Sequence, residues 1–158
     1  MRFSAQFIKD IKSGDFLTPP DSAKTTLKDG NEVKTWFETF QVAGIVATVL
    51  DDGTELVRID VTVPHDVQSA NQGRRCGAFF RFPQGSDDGQ EQQRTISARS
   101  LFSLFAAAGY DPDTSTGFDT SSIDGTALAG QRVTAQVRIA PDKNGIPRQN
   151  LQYWKAPK

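Results

Sequence analysis

Gly73-Arg74-Arg75-Cys76-Gly77-Ala78-Phe79-Phe80-Arg81-Phe82 is the stretch on which the fold turns. It reads as one strand, and side chains alternate between the two faces of a strand. One parity carries Cys76, Ala78, Phe80 and Phe82, an apolar face fit for a core. The other carries Arg75, Gly77, Phe79 and Arg81, an aromatic ring between two guanidinium groups. A bare ring flanked by cations on a solvent face suits stacking a nucleobase while its phosphates are held. The competing reading is that a neighbouring loop buries Phe79 and the arginines solubilise the strand. The rest of the chain decides between them.

Upstream, Glu55 to Pro64 alternates cleanly, with Val57, Ile59, Val61 and Val63 on one face and Leu56, Arg58, Asp60 and Thr62 on the other. Before it, Lys34 to Leu50 is rich in β-branched and aromatic residues and reads as a long strand of unclear parity. Gly44 marks a bulge or bend within it, and Asp51-Asp52-Gly53 signals a hairpin. Downstream, Pro83 to Gln93 reads as a polar, mobile loop. Thr95 to Ala108 has helical spacing at Leu101, Leu104, Phe105 and Ala108, with Thr95 or Ser97 as cap and Gly109 as stop. Arg132 to Ile139 alternates strictly, Asp142-Lys143-Asn144-Gly145 turns, and Arg148 to Trp154 forms the last strand.

The order is three strands, a helix, then two strands. It predicts an all-β protein, a five-stranded OB-fold-like antiparallel barrel with one helix between strands 3 and 4. Thr18-Pro19-Pro20-Asp21 interrupts any regular element. Residues 1–31 therefore read as an N-terminal arm or irregular lead-in, and 32–158 as the barrel domain. A chain of 158 residues is most simply one domain with a real core.

The net charge of −1 excludes a binder that works by bulk positive charge. A single cysteine, Cys76, excludes an intrachain disulfide and fits a reducing compartment. Residues 1–13 have no apolar stretch of the kind a secretory signal needs, and no apolar run approaches the ~20 residues of a membrane span. A cytoplasmic location is expected.

Charge is unevenly distributed. From Thr126 to Lys158 the cations Arg132, Arg138, Lys143, Arg148, Lys155 and Lys158 face only Asp142. The polar parities of three strands gather Arg75, Phe79 and Arg81; Arg132, Thr134, Gln136 and Arg138; and Arg148, Asn150, Gln152 and Trp154. None of these positions is a carboxylate. That local asymmetry is the electrostatic footprint of a nucleic-acid site. Phe79 and Trp154 are the candidate base-stacking rings. Arg75, Arg81, Arg132, Arg138 and Arg148 are the candidate phosphate contacts, and Gln136, Asn150 and Gln152 offer adaptable hydrogen bonds. For Trp154 the alternative is that it closes an open barrel end and packs on the helix.

The texture of Trp36 to Trp154 resembles the phage-encoded OB-fold single-stranded DNA-binding proteins of replication and recombination. The resemblance rests on Gly73-Arg74-Arg75 leading a strand, on Leu101 to Gly109 as a short helix, on Leu128-Ala129-Gly130-Gln131-Arg132-Val133, and on Asn144-Gly145 followed by Asn150-Leu151. It implies sequence-tolerant binding of single strands and protection of DNA intermediates in the cytoplasm of a bacterial host. Replication or recombination proteins would be the partners. Single-strand binders often assemble along the strand, so an oligomer stays open, although no coiled-coil or swap signal shows. The chain departs from many such proteins by ending Trp154-Lys155-Ala156-Pro157-Lys158 in place of an acidic tail. That departure puts tail-mediated recruitment in doubt, with the acidic loops at Asp87 to Glu91 or Asp111 to Asp124 as the candidate substitutes.

No enzyme, cofactor or metal is expected. His65 is the only histidine and stands in no zinc spacing. Cys76 falls on the core parity. Gly85-Ser86-Asp87-Asp88-Gly89 is acidic and would repel phosphate. The loop from Asp111 has its glycine at the seventh position and Ser122 at the twelfth, a poor match to a calcium loop. The functional alternative is a non-catalytic structural or adaptor β-domain, such as a virion component, whose polar face contacts protein.

Overall fold

A computed structural model describes residues 16–157. Residues 1–15 of the stretch read as an N-terminal arm or irregular lead-in, and Lys158, lie outside the described residues. Six strands form one antiparallel sheet: β1 (Lys24–Lys28), β2 (Asn31–Val49), β3 (Glu55–Thr62), β4 (Arg75–Phe82), β5 (Arg132–Pro141) and β6 (Pro147–Lys155). The helix α1 (Asp88–Ala108) and the short α2 (Gly125–Leu128) lie between β4 and β5.

β2 organises the sheet. Lys34 and Thr35 pair with both β1 and β5, and Gln41 pairs with both β3 and β5. β1 and β3 therefore follow one another along one edge of β2, while β5 takes the other edge. The path runs β4-β3-β2-β5-β6. Trp36, Glu38, Phe40 and Val42 point inward. A register shift between Val42 and Gly44 then inserts one extra residue, Ala43. The inward parity changes there, so that Ile45 pairs with Ile59 in the core. That bulge is why the parity of this strand could not be read from its residues.

The expected five-stranded OB-fold-like barrel differs from the structure in two respects. First, Lys24–Lys28 forms a strand within the stretch read as lead-in. Its hairpin turns on Asp29 and Gly30, both at positive φ (53° and 79°), the geometry that an Asp-Gly pair favours. Second, among the described residues no pairing joins β4 to β6, so hydrogen bonds do not close the sheet. The sheet still curls. The main sheet contacts of α1 are with β4, β5 and β6, which include both end strands. Leu101, Leu104, Phe105 and Ala108 of α1 share a core with Phe40, Val57, Ile59, Phe80, Val133 and Val137.

α1 begins seven residues before the expected start. Asp87 caps it by accepting from the Gln90 amide at 2.9 Å, and Asp88 and Glu91 suit the positive end of the helix. Ser97, one of the expected caps, is buried inside the helix and accepts from Gln93 Nε2 at 3.0 Å. The first turns carry no apolar stripe, which is why Pro83 to Gln93 reads as loop. Arg94 donates to the carbonyls of Pro83 and Gly85, tying down the true connection. Gly109 ends the helix at φ 75°, as expected.

Residues 16–18 seat on the sheet. Leu17 is buried and its amide donates to Gln149 Oε1 at 2.8 Å, while the Thr18 amide donates to Asn71 Oδ1 at 2.7 Å. The inward carboxylate Glu38 accepts from Trp36 Nε1 and Asn71 Nδ2, both at 3.1 Å, which satisfies a buried polar group. No helix among the described residues is long and apolar enough to cross a membrane.

Candidate nucleic-acid interface

The pairing registers lay the outward side chains in rows across the sheet. At one end of β2 the rows are Arg81–Leu56–Thr48 and Phe79–Arg58–Val46, from β4 through β3 to β2. Near the bulge one row crosses four strands: Arg75–Thr62–Gln41–Arg132. Toward the other end come Thr39–Thr134–Lys155, Phe37–Gln136–Gln152 and Thr35–Arg138–Asn150, from β2 through β5 to β6. The outer face is thus one band along β2, with a cluster at each end and Arg75 and Arg132 between them.

Phe79 is 59 % exposed, where the alternation of β4 puts it. Its ring lies over Gly77: a Cβ there would meet Phe79 Cε2 and Cζ at 3.3 Å and the Arg58 stem at 3.5 Å. Glycine at 77 lets the ring lie along the strand and leave a face to solvent. Arg75 and Arg81 flank it, both exposed. The apolar parity is inward as expected, with Ala78 and Phe80 buried and Phe82 and Cys76 packed against the core. Burial pushes the Cys76 thiol up to about 12, with the Glu38 charge adding to the effect.

The candidate arginines are not equivalent. Arg75, Arg81 and Arg138 have no ion pair among the described residues. Arg132 Nη2 bonds both oxygens of Asp66, at 2.8 and 2.9 Å, and this bond holds the Asp66 carboxyl below its ordinary range. Arg148 Nε pairs with Asp142 Oδ2 at 3.1 Å. Asp142 is likewise held low, first by the Ile146 amide and also by Arg148. Both carboxylates come from connections between strands, whose folding back onto the sheet strand parity does not report. On the sheet itself Asp60 faces outward and pairs with Arg58 at 3.0 Å.

Gln136, Arg138, Arg148, Asn150 and Gln152 gather on the β5–β6 part of the band, where Gln152 Nε2 donates to Gln136 Oε1 at 2.9 Å. Trp154 does not join them. It is 7 % exposed and belongs to the core cluster with Leu101 and Phe105. The reason is local. Between Thr134 and Gln136 the register of β6 shifts by one residue, and Tyr153 takes a positive φ of 54°. That bulge turns Trp154 inward and leaves Tyr153, which an unbroken alternation would set on the face opposite Asn150 and Gln152, 69 % exposed. The sequence reading also missed Phe37, which is 48 % exposed with Lys155 Nζ 3.8 Å from its ring centroid. Its parity on β2 was the available signal, hidden by the bulge at Ala43. No protein-family model matches this chain, and no curated protein matches its sequence.

Proposed function

We propose that this protein binds single-stranded DNA, with little sequence preference, along the outer face of its sheet. One observation carries the reading: Phe79 stands exposed over Gly77, between Arg75 and Arg81, neither of which has an ion pair among the described residues. A ring with a free face stacks on any base, and free guanidinium groups neutralise phosphates without reading sequence. The fold supports this. Counting the five expected strands in chain order, the sheet runs 3-2-1-4-5, with the helix packed on its end strands. An OB-fold is a partly open five-stranded barrel that binds oligonucleotides on the face of its second and third strands. Here those are β3 and β4, which carry Phe79. The proposed role is non-catalytic: protection of single strands during phage replication or recombination in a bacterial cytoplasm, alongside other proteins of those processes.

The Asp66–Arg132 and Asp142–Arg148 pairs favour a second reading, an adaptor domain whose polar face is already partly neutralised and meets protein. Competition separates the two. A labelled oligo-dT bound to the protein should be displaced by unlabelled single strands of mixed sequence and far less by duplex of equal length. Absence of any oligo-dT complex at low salt would leave the adaptor reading standing.

A further inference from the structure

We infer that the single strand is held at two aromatic platforms, Phe79 near one end of β2 and Phe37 with Tyr153 near the other, with Arg75 and Arg132 between them. This rests on the single-strand-binding reading above. Three observations on the second platform carry it. Phe37 lies outward on β2, half-exposed, with the Lys155 ammonium over its ring. Tyr153 is exposed at φ 54°, a left-handed conformation that costs free energy in any residue with a Cβ. Glycine or asparagine would hold that bulge at less cost. A strained backbone displaying a bulky ring to solvent points to a use for the ring. Finally, the outward residues of this part of the sheet are Thr35, Phe37 and Thr39 on β2, Thr134, Gln136 and Arg138 on β5, and Asn150, Gln152 and Lys155 on β6. Two are cations and none is a carboxylate, which suits a polyanion with stackable bases.

Spacing sets the length of strand required. From Phe37 to Val46, the β2 residue in the row of Phe79, there are nine residues, one of them taken up by the bulge. At ~3.3 Å per residue the platforms stand roughly 26 Å apart along β2. At ~3.4 Å per stacked nucleotide that is about eight nucleotides. An oligonucleotide of four can occupy one platform, and one of twelve can occupy both.

The test is fluorescence anisotropy of labelled (dT)4 and (dT)12 with the full chain, as wild type, Phe37→Ala, Tyr153→Asn and Phe79→Ala, with a thermal melt of each. Asparagine tolerates the left-handed conformation, so Tyr153→Asn removes the ring and keeps the bulge. Wild type should bind (dT)12 at least tenfold more tightly than (dT)4. Phe37→Ala and Tyr153→Asn should each weaken (dT)12 about fivefold or more, with the melting temperature of Tyr153→Asn equal to or above that of wild type. Wild-type affinity for (dT)12 in both variants, with Phe79→Ala alone impaired, would overturn the second platform and leave the single-strand reading intact. Loss of affinity only in step with loss of melting temperature would make the rings structural and also overturn it. Failure of the wild type to bind either oligonucleotide would remove the parent reading, and this inference with it.

Discussion

Two pairs of adjacent aromatics, Phe79-Phe80 on β4 and Tyr153-Trp154 on β6, each send the first ring out and the second ring in, the reverse of Trp36-Phe37 on β2. They reach that arrangement differently. β4 pairs without interruption from Arg75 to Phe82, and alternation alone places Phe79 outside and Phe80 inside. β6 is regular to Gln152, and its alternation would have put Tyr153 inside. A bulge at positive φ reverses the two rings. One extra residue thus exchanges a core side chain for a surface one.

The largest effects should fall on the inward rings. Phe80→Ala and Trp154→Ala should each cost ~3–5 kcal/mol of stability, the range for deleting a buried aromatic. Phe79→Ala should leave the melting temperature nearly unchanged. Thermal melts of the three variants check this. A Trp154→Ala protein as stable as wild type would break the comparison on the β6 side. The next effect is on binding: Phe79→Ala should lose ~1–3 kcal/mol of affinity for oligo-dT, the range for one base stack, measured by titration at fixed salt.

The same contrast explains what could be read from residues alone. β3, β4 and β5 alternate without interruption through their cores, and their faces follow from parity: Val57, Ile59, Ala78, Phe80, Val133 and Val137 are all buried. Both bulged strands misled. On β2 the extra residue at Ala43 hid the outward position of Phe37, and on β6 it turned Trp154 into the core. The start of α1 was hidden because Asp88 to Gln93 lacks an apolar stripe, although Asp87 stood ready as a cap. β1 was signalled by Asp29-Gly30 but lay in polar chain. At the candidate interface, the outward placement of Phe79, Arg75 and Arg81 was legible because their strand is regular. The neutralising partners Asp66 and Asp142 were not, because they arrive from connections that fold back onto the sheet.

That difference in partners sharpens the comparison of the arginines. Arg75→Ala, Arg81→Ala and Arg138→Ala should each lower the salt slope of binding by about 0.7. Arg132→Ala and Arg148→Ala should lower it less, because Asp66 and Asp142 already engage those cations. The direction of the Asp66 shift fixes the pH at which this holds. Its carboxyl is held below the ordinary range, so the pair is intact at neutral pH and is lost only as pH falls through that lowered value. Asp66→Asn should therefore tighten oligo-dT binding at pH 7 and steepen its salt dependence. Unchanged binding would place Arg132 off the path.

The smallest effect concerns the inward neighbour of Arg75. With the Cys76 thiol pushed up to about 12, only on the order of one molecule in ten thousand is thiolate at pH 8. Labelling by iodoacetamide should be slow in the native protein and become fast on unfolding. Rapid native labelling would mean that the inner face of β4 opens near Arg75.

The most direct measurement is the affinity of the wild-type protein for oligo-dT across a series of salt concentrations. Arg75, Arg81 and Arg138, which have no ion pair among the described residues, predict a slope of log affinity against log salt of about −2 or steeper, at ~0.7 per phosphate contact on single strands. Affinity should hold for mixed-sequence oligonucleotides. Binding that is absent at low salt, or indifferent to salt, would contradict a phosphate-holding face on this sheet.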